Sequence, residues 1–191
     1  LYQPIPYEEQ LAIKEKQVRS LLDAVCPEYE FEGILGSPLV QGYRNKMEFS
    51  FGDEVKDGPM SLGMHKRGSF YDVVTTGECH IVHPDFCKIL VCTKEYFEEK
   101  KVGFYKKMQH TGYLRHLLVR RAIKTGEILV DLITTTQTDT FEGTEEALLR
   151  GWTERLQALP MEGSFAGILH TKNDTLADAV KDEGTDILFG R

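Results

Sequence analysis

The 191 residues are 41% hydrophobic and 28% charged, with a formal net charge of -7, a composition that excludes a disordered chain. The apolar runs are too short to cross a bilayer, and no basic stretch followed by an apolar one marks a secretory leader. Four cysteines, Cys26, Cys79, Cys87 and Cys92, are too few and too unevenly spread for a disulfide scaffold, which points to a cytoplasmic chain, and the length allows one domain or one domain plus an appendage.

The periodicity of residues 7–25 predicts an amphipathic helix. Tyr7, Leu11, Val18, Leu21, Leu22 and Val25 recur at helical spacing between Pro6 and Pro27, and Glu8 and Glu9 suit its N-terminal end. Gly33, Gly36, Pro38 and Gly42 then break the chain. From Tyr43 the period becomes two: Tyr43, Met47, Phe49 and Phe51 take one side, and Arg44, Lys46, Glu48 and Ser50 the other. The stretches "MSLGMHK" and "FYDVVTT" read as two further strands of a meander, joined by turns at "VKDGP" and "RGS". A helix is expected from Pro84 to about Val102. A hairpin follows, "YLRHLLVRRAI" and "EILVDLITTT" around "KTGE". A helix capped by Thr144 and a strand "SFAGILHTK" complete the pattern. The expected class is α+β: an antiparallel β-sheet with helices packed on one face, preceded by the N-terminal amphipathic helix. Residues 1–30 are expected to form a linker helix, and 40–191 a central α+β domain.

Charge is segregated along the chain. Lys100, Lys101, Lys106, Lys107, Arg115, Arg120, Arg121 and Lys124 crowd a stretch without Asp or Glu, whereas eleven acids face four bases between Asp139 and Asp186. A local basic surface is compatible with an acidic total.

Neither a phosphate-binding loop, nor a glycine-rich dinucleotide turn, nor a nucleophile elbow, nor a zinc-protease helix motif occurs. "CHIVHPDFC" offers Cys79, His80, His83 and Cys87, ligand types that suit zinc. The spacing matches no common structural-zinc pattern, however, and Cys87 and Cys92 lie roughly 140° apart on a helix; small buried thiols account for the same residues. In "HTKNDTLADAVKDEG", from His170, Asn173, Asp174, Asp178 and Asp182 could serve acid–base chemistry, but a polar loop facing water explains them better. The basic strands have a clearer use. Arg44, Lys46, Lys66, Arg67, Arg115, Arg120 and Arg121 can pair with phosphate, and Tyr43, Tyr71 and Tyr113 offer faces for unpaired bases.

"GYRNKMEFSFG" and "LGMHKRGSFYDVV" followed by "GECHIV" resemble the central region of RNA (uracil-5-)-methyltransferases of the 23S ribosomal type. So do "YLRHLLVRRAIKTGEILVDLITTT", "GILHTKNDTLADAVKDEGTDILFGR" and the opening "YQPIPYEEQLAIKEKQV". The resemblance implies an enzyme that uses S-adenosylmethionine to methylate C5 of a uridine. In that family a nucleophilic cysteine attacks C6, and a base later removes the C5 proton. The glycine-rich cofactor motif, that cysteine and the base are expected beyond Arg191, so no catalytic or cofactor-binding residue is assigned here. Both ends of the chain look cut, and the first helix is expected to pack on the missing catalytic domain. The resemblance further implies that Cys79 stands at the fourth ligand position of a 4Fe-4S cluster whose other three cysteines would precede Leu1. A cluster needs all its thiolates, so none is expected in this chain. The implied partner is RNA, ribosomal rather than transfer RNA on the strength of Cys79, with Arg44 and Lys46 on the face that holds it while a flipped base is modified. Two alternatives stay open: a stand-alone protein- or RNA-interaction module without catalysis, and a small metalloprotein built on Cys79.

Overall fold

The computed structural model describes every residue except Leu1, Gln3, Pro27, 177–182 and Arg191. The chain divides into two units, Leu1–Val40 and Gln41–Arg191. The first is built on α1 (Tyr7–Asp23), which has Glu8 and Glu9 in its first turn and no buried residue. Arg19 pairs with Glu15 at 2.8 Å and lies 4.0 Å over the Phe31 ring. The Tyr7 hydroxyl accepts the Ser37 N–H at 2.6 Å. The segment after α1 is thereby folded back along the helix.

The second unit is a seven-stranded sheet in the order β3-β2-β1-β4-β5-β6-β7. Its strands are β1 (Lys46–Asp53), β2 (Met60–His65), β3 (Val73–Thr75), β4 (Leu114–Arg121), β5 (Glu127–Thr134), β6 (Ser164–Lys172) and β7 (Thr185–Gly190). The helices α2 (Pro84–Glu99) and α3 (Glu145–Gln157) complete it. Alternation fixes the faces. Met47, Phe49 and Phe51 of β1 and Leu117 and Val119 of β4 are buried in the core with both helices, whereas Lys46, Glu48 and Arg120 are exposed. The α+β expectation, with helices on one face, holds.

Trp152 of α3 and Phe97 of α2 close this core with ring centroids 6.0 Å apart, and Trp152 Nε1 donates to Thr93 Oγ1 at 3.1 Å. The expected Thr144 cap is present: its Oγ1 accepts the Ala147 N–H at 3.2 Å. α2 begins at Pro84, as expected, with the His83 ring capping the Asp85 N–H at 3.3 Å.

Three features depart from the sequence reading. β5 and β6 run parallel, because α3 crosses over between them and returns the chain to the end from which β5 began. β7 is a strand that the alternation did not indicate. β3 shrinks to three residues because Ser69 Oγ accepts the N–H groups of Tyr71 (3.2 Å) and Asp72 (3.0 Å), which holds Phe70 and Tyr71 in the turn.

Candidate nucleic-acid interface

On the sheet face turned away from α2 and α3, Lys46 stands directly across from Arg120, the Cα partner on the neighbouring strand. Both are exposed. Opposed like charges on an antiparallel pair are unfavourable unless an anion lies between them. Arg44 precedes the strand rather than lying within it. It bridges to Val82, and its exposed guanidinium donates through Nε to the Lys46 carbonyl at 3.2 Å. Arg44, Lys46 and Arg120 thus gather at one end of β1. Lys66 and Arg67, also exposed, form the turn between β2 and β3, where the Lys66 N–H donates to the Asp72 carbonyl at 2.8 Å.

Two of the arginines expected on this surface are turned inward. Arg115 is 4% exposed. It donates to the carbonyls of Asn173 (2.6 Å) and Thr175 (2.8 Å), and its guanidinium lies 4.6 Å over the Tyr105 ring. It ties the start of β4, at an irregularity between Leu114 and His116, to the loop after β6. Arg121 is half-buried and faces Glu162 at 3.5 Å. The reason is parity: Arg121 falls in the series of Leu117 and Val119, which points to the core, and Arg120 in the opposite one.

The tyrosines separate likewise. Tyr43 and Tyr71 are exposed, whereas Tyr113 is fully buried. The Tyr113 hydroxyl donates to Glu145 Oε1 at 3.0 Å, and burial together with that carboxylate pushes the phenol far above its ordinary range. Beside it lies His170, on the strand expected at "SFAGILHTK". It is buried in β6, with Nε2 2.8 Å from Thr134 Oγ1 and 3.4 Å from the Tyr113 hydroxyl. Burial holds the imidazole below its usual range, and Lys172 adds to that while Glu145 and Asp186 oppose it. Asp174, by contrast, is structural: its carboxylate accepts the Thr136 N–H (2.9 Å) and hydroxyl (2.7 Å). Asp178 and Asp182 lie outside the described residues.

Cys79 is half-buried, and the Cys87 thiol donates to the Cys79 carbonyl at 3.7 Å. Burial pushes the Cys87 thiol up, away from a thiolate. His83 is occupied as the α2 cap, with Glu162 3.3 Å from its Nε2. Among the described residues no three His, Cys, Asp or Glu side chains converge on a metal position. The described residues therefore do not fit a whole iron–sulfur cluster.

A cavity of about 410 Å³ opens beside Gly52, at the end of β1 away from Lys46. Its walls come from β1, from Tyr71–Val73 and from the segment between α2 and β4, where Phe104 and Tyr105 face it. Two glycines allow these segments to meet. A Cβ on Gly52 would lie 2.6 Å from Val73 Cγ2, and Gly112, at φ 119°, doubles the chain back where a Cβ would strike the Phe104 carbonyl. The interleaved "FYKKM" was the available signal for this wall; only its lysines entered the charge reading.

No family model matches the chain. By fold it is similar to a solved structure, the Pyrococcus abyssi tRNA (uracil-54, C5)-methyltransferase in complex with S-adenosyl-L-homocysteine, at TM-score 0.64 and 21% identity over 97% of this chain and 39% of that one. Over its full length it is 48% identical to an uncharacterized RNA methyltransferase of Clostridium acetobutylicum, covering 41% of that protein. It is 30% identical over 70% of its length to a tRNA (uracil(54)-C(5))-methyltransferase of Pyrococcus furiosus, covering 30% of that protein. The chain is thus homologous to one region of uracil-5 RNA methyltransferases, and it spans about two fifths of the length of the first-named relative.

Proposed function

We propose that this chain is the region of an S-adenosylmethionine-dependent RNA (uracil-5-)-methyltransferase that binds and positions RNA for catalytic groups carried elsewhere in the protein. The observation that carries the reading is the exposed Lys46–Arg120 pair with Arg44 beside it, on the sheet face opposite α2 and α3, in a chain homologous throughout to RNA methyltransferases. Charges on paired strands are held at fixed spacing, so they set the register of a phosphate backbone rather than merely attracting it. Lys66 and Arg67 extend the basic surface, while Arg115 and Arg121 act by holding β4 and its surroundings in shape. Cofactor binding and methyl transfer belong to residues outside this chain, and cytoplasmic location follows from the RNA substrate.

Ribosomal RNA is the preferred substrate class because Cys79 stands where the resemblance puts a fourth cluster ligand. A transfer-RNA substrate is the second reading, favoured by the name of the Pyrococcus furiosus relative. Fluorescence titration of the chain with a ribosomal-RNA hairpin and with a folded tRNA tests both. Binding of either is expected, the hairpin more tightly, and the Arg44→Ala, Lys46→Ala, Arg120→Ala triple variant should lose affinity at least about tenfold. A triple variant that binds as tightly as the parent chain rejects the reading.

A further inference from the structure

We propose that the cavity beside Gly52 is a receptor for one unstacked nucleobase of the bound RNA, separate from the uridine that is modified. The inference rests on the RNA-binding reading above and adds a subsite to it. The cavity, at about 410 Å³, falls in the size range of small-ligand clefts. Its lining combines the two chemistries that a base requires. Phe51, Val73, Phe104, Tyr105 and Met108 give apolar and aromatic surface for the ring faces, and Asp53, Asp72 and Lys107 place acceptors and a donor for its edges.

The charges are arranged to leave the interior suited to a neutral ring. Asp57 is paired with Lys106 at 2.9 Å, which holds that carboxyl below its ordinary range, and Asp53 accepts the Asp57 N–H at 2.8 Å. The formal balance of the lining is therefore close to even, which disfavours a phosphate inside and leaves phosphate binding to the basic residues outside. Tyr105 is fixed from two sides: the Arg115 guanidinium lies 4.6 Å over its ring, and its hydroxyl is 3.0 Å from His110 Nδ1. The buried Arg115 thus serves the site by orienting an aromatic wall. Tyr71 and Met108 line the cavity and are largely exposed, with Phe70 exposed next to Tyr71. An apolar surface offered to water at the entrance of a cleft is where an arriving base can stack first.

Placement links the cavity to the basic end of β1. Gly52 shares the strand parity of Lys46, and six residues of strand separate them by roughly 20 Å. A single strand whose phosphates follow Arg44, Lys46 and Arg120 can therefore turn a base into the cavity several nucleotides further on.

The test uses the full 191-residue chain and single-stranded RNA oligomers that differ only in one abasic nucleotide, scanned along the sequence. At one position the abasic oligomer should bind about tenfold more weakly than its parent. Tyr71→Ala and Met108→Asp, both at exposed sites and checked for native melting, should bind the parent oligomer about as weakly. They should lose nothing more with the abasic one. If the parent chain binds RNA with the expected salt dependence but neither the abasic scan nor the two variants changes affinity, the base receptor is wrong and the RNA reading stands. If the parent chain binds no RNA at all, both fall.

Discussion

At the start of β4, Arg115 is buried, hydrogen-bonded to two carbonyls and stacked on Tyr105. At its end, Arg120 is exposed opposite Lys46. The side chains are chemically identical and five positions apart, yet one is a structural brace and the other a surface cation. What separates them is strand parity and the irregularity between Leu114 and His116, so a count of basic residues along β4 overstates the surface available to a polyanion. The lesson extends to the tyrosines: Tyr71 is exposed, and Tyr113 lies in a buried polar cluster with Glu145 and His170.

The contrast can be broken most forcefully at Arg115. Arg115→Ala removes the hydrogen bonds to the Asn173 and Thr175 carbonyls and the stacking on Tyr105. It should cost about 2–3 kcal/mol in urea unfolding. A loss below about 0.5 kcal/mol would show that this arginine is not a brace.

The buried cluster predicts a pH dependence. The folded-state pKa of His170 lies below the ordinary 6.5 because burial disfavours the cation. The unfolded chain therefore binds the proton more readily between the folded pKa and about 6.5. Stability from this group is fully present above about pH 6.5 and falls as pH drops through that window, by at most about 1.4 kcal/mol per pH unit. Unfolding titrations of the parent chain and of His170→Gln at a series of pH values should show the slope in the first and its reduction in the second; parallel curves would contradict it.

The smallest stability effect belongs to the other end of β4. Arg120→Ala should change unfolding free energy by no more than about 0.5 kcal/mol, and relief of the like-charge opposition with Lys46 favours a slight gain. A large destabilisation there would move Arg120 into the structural class and empty the proposed interface.

Much of this architecture was legible in the sequence. Phe49 and Phe51 against Glu48, Pro84 at the start of α2 and Thr144 before α3 are local signals, and local signals specify β1, α2 and α3 well. The parallel pairing of β5 with β6 was less accessible, because neither strand encodes the direction of its neighbour; the intervening α3 was the only hint. β7 was missed because Ile187, Leu188 and Phe189 run together without alternation. Within the site, parity could have assigned Arg120 outward and Arg121 inward, since Leu117 and Val119 fix the buried series. Arg115 could not be placed, because the irregularity beside it is set by tertiary pairing. His170 was expected on the strand "SFAGILHTK", but its burial could not be read there, because it comes from Thr134 and Tyr113, residues distant in sequence. The cavity was invisible for the same reason, its walls being drawn from three separated segments.

The most direct test of the account is the salt dependence of RNA binding, measured for the parent chain, for Lys46→Ala with Arg120→Ala, and for Arg115→Lys as a control at the buried site. Removing one phosphate-binding cation should flatten the log–log slope by about 0.7 for a single strand. The account predicts a slope lower by about 1.4 for the double variant, and a parent-like slope for Arg115→Lys. An unchanged slope in the double variant would contradict the claim that this end of β1 and β4 holds the RNA backbone.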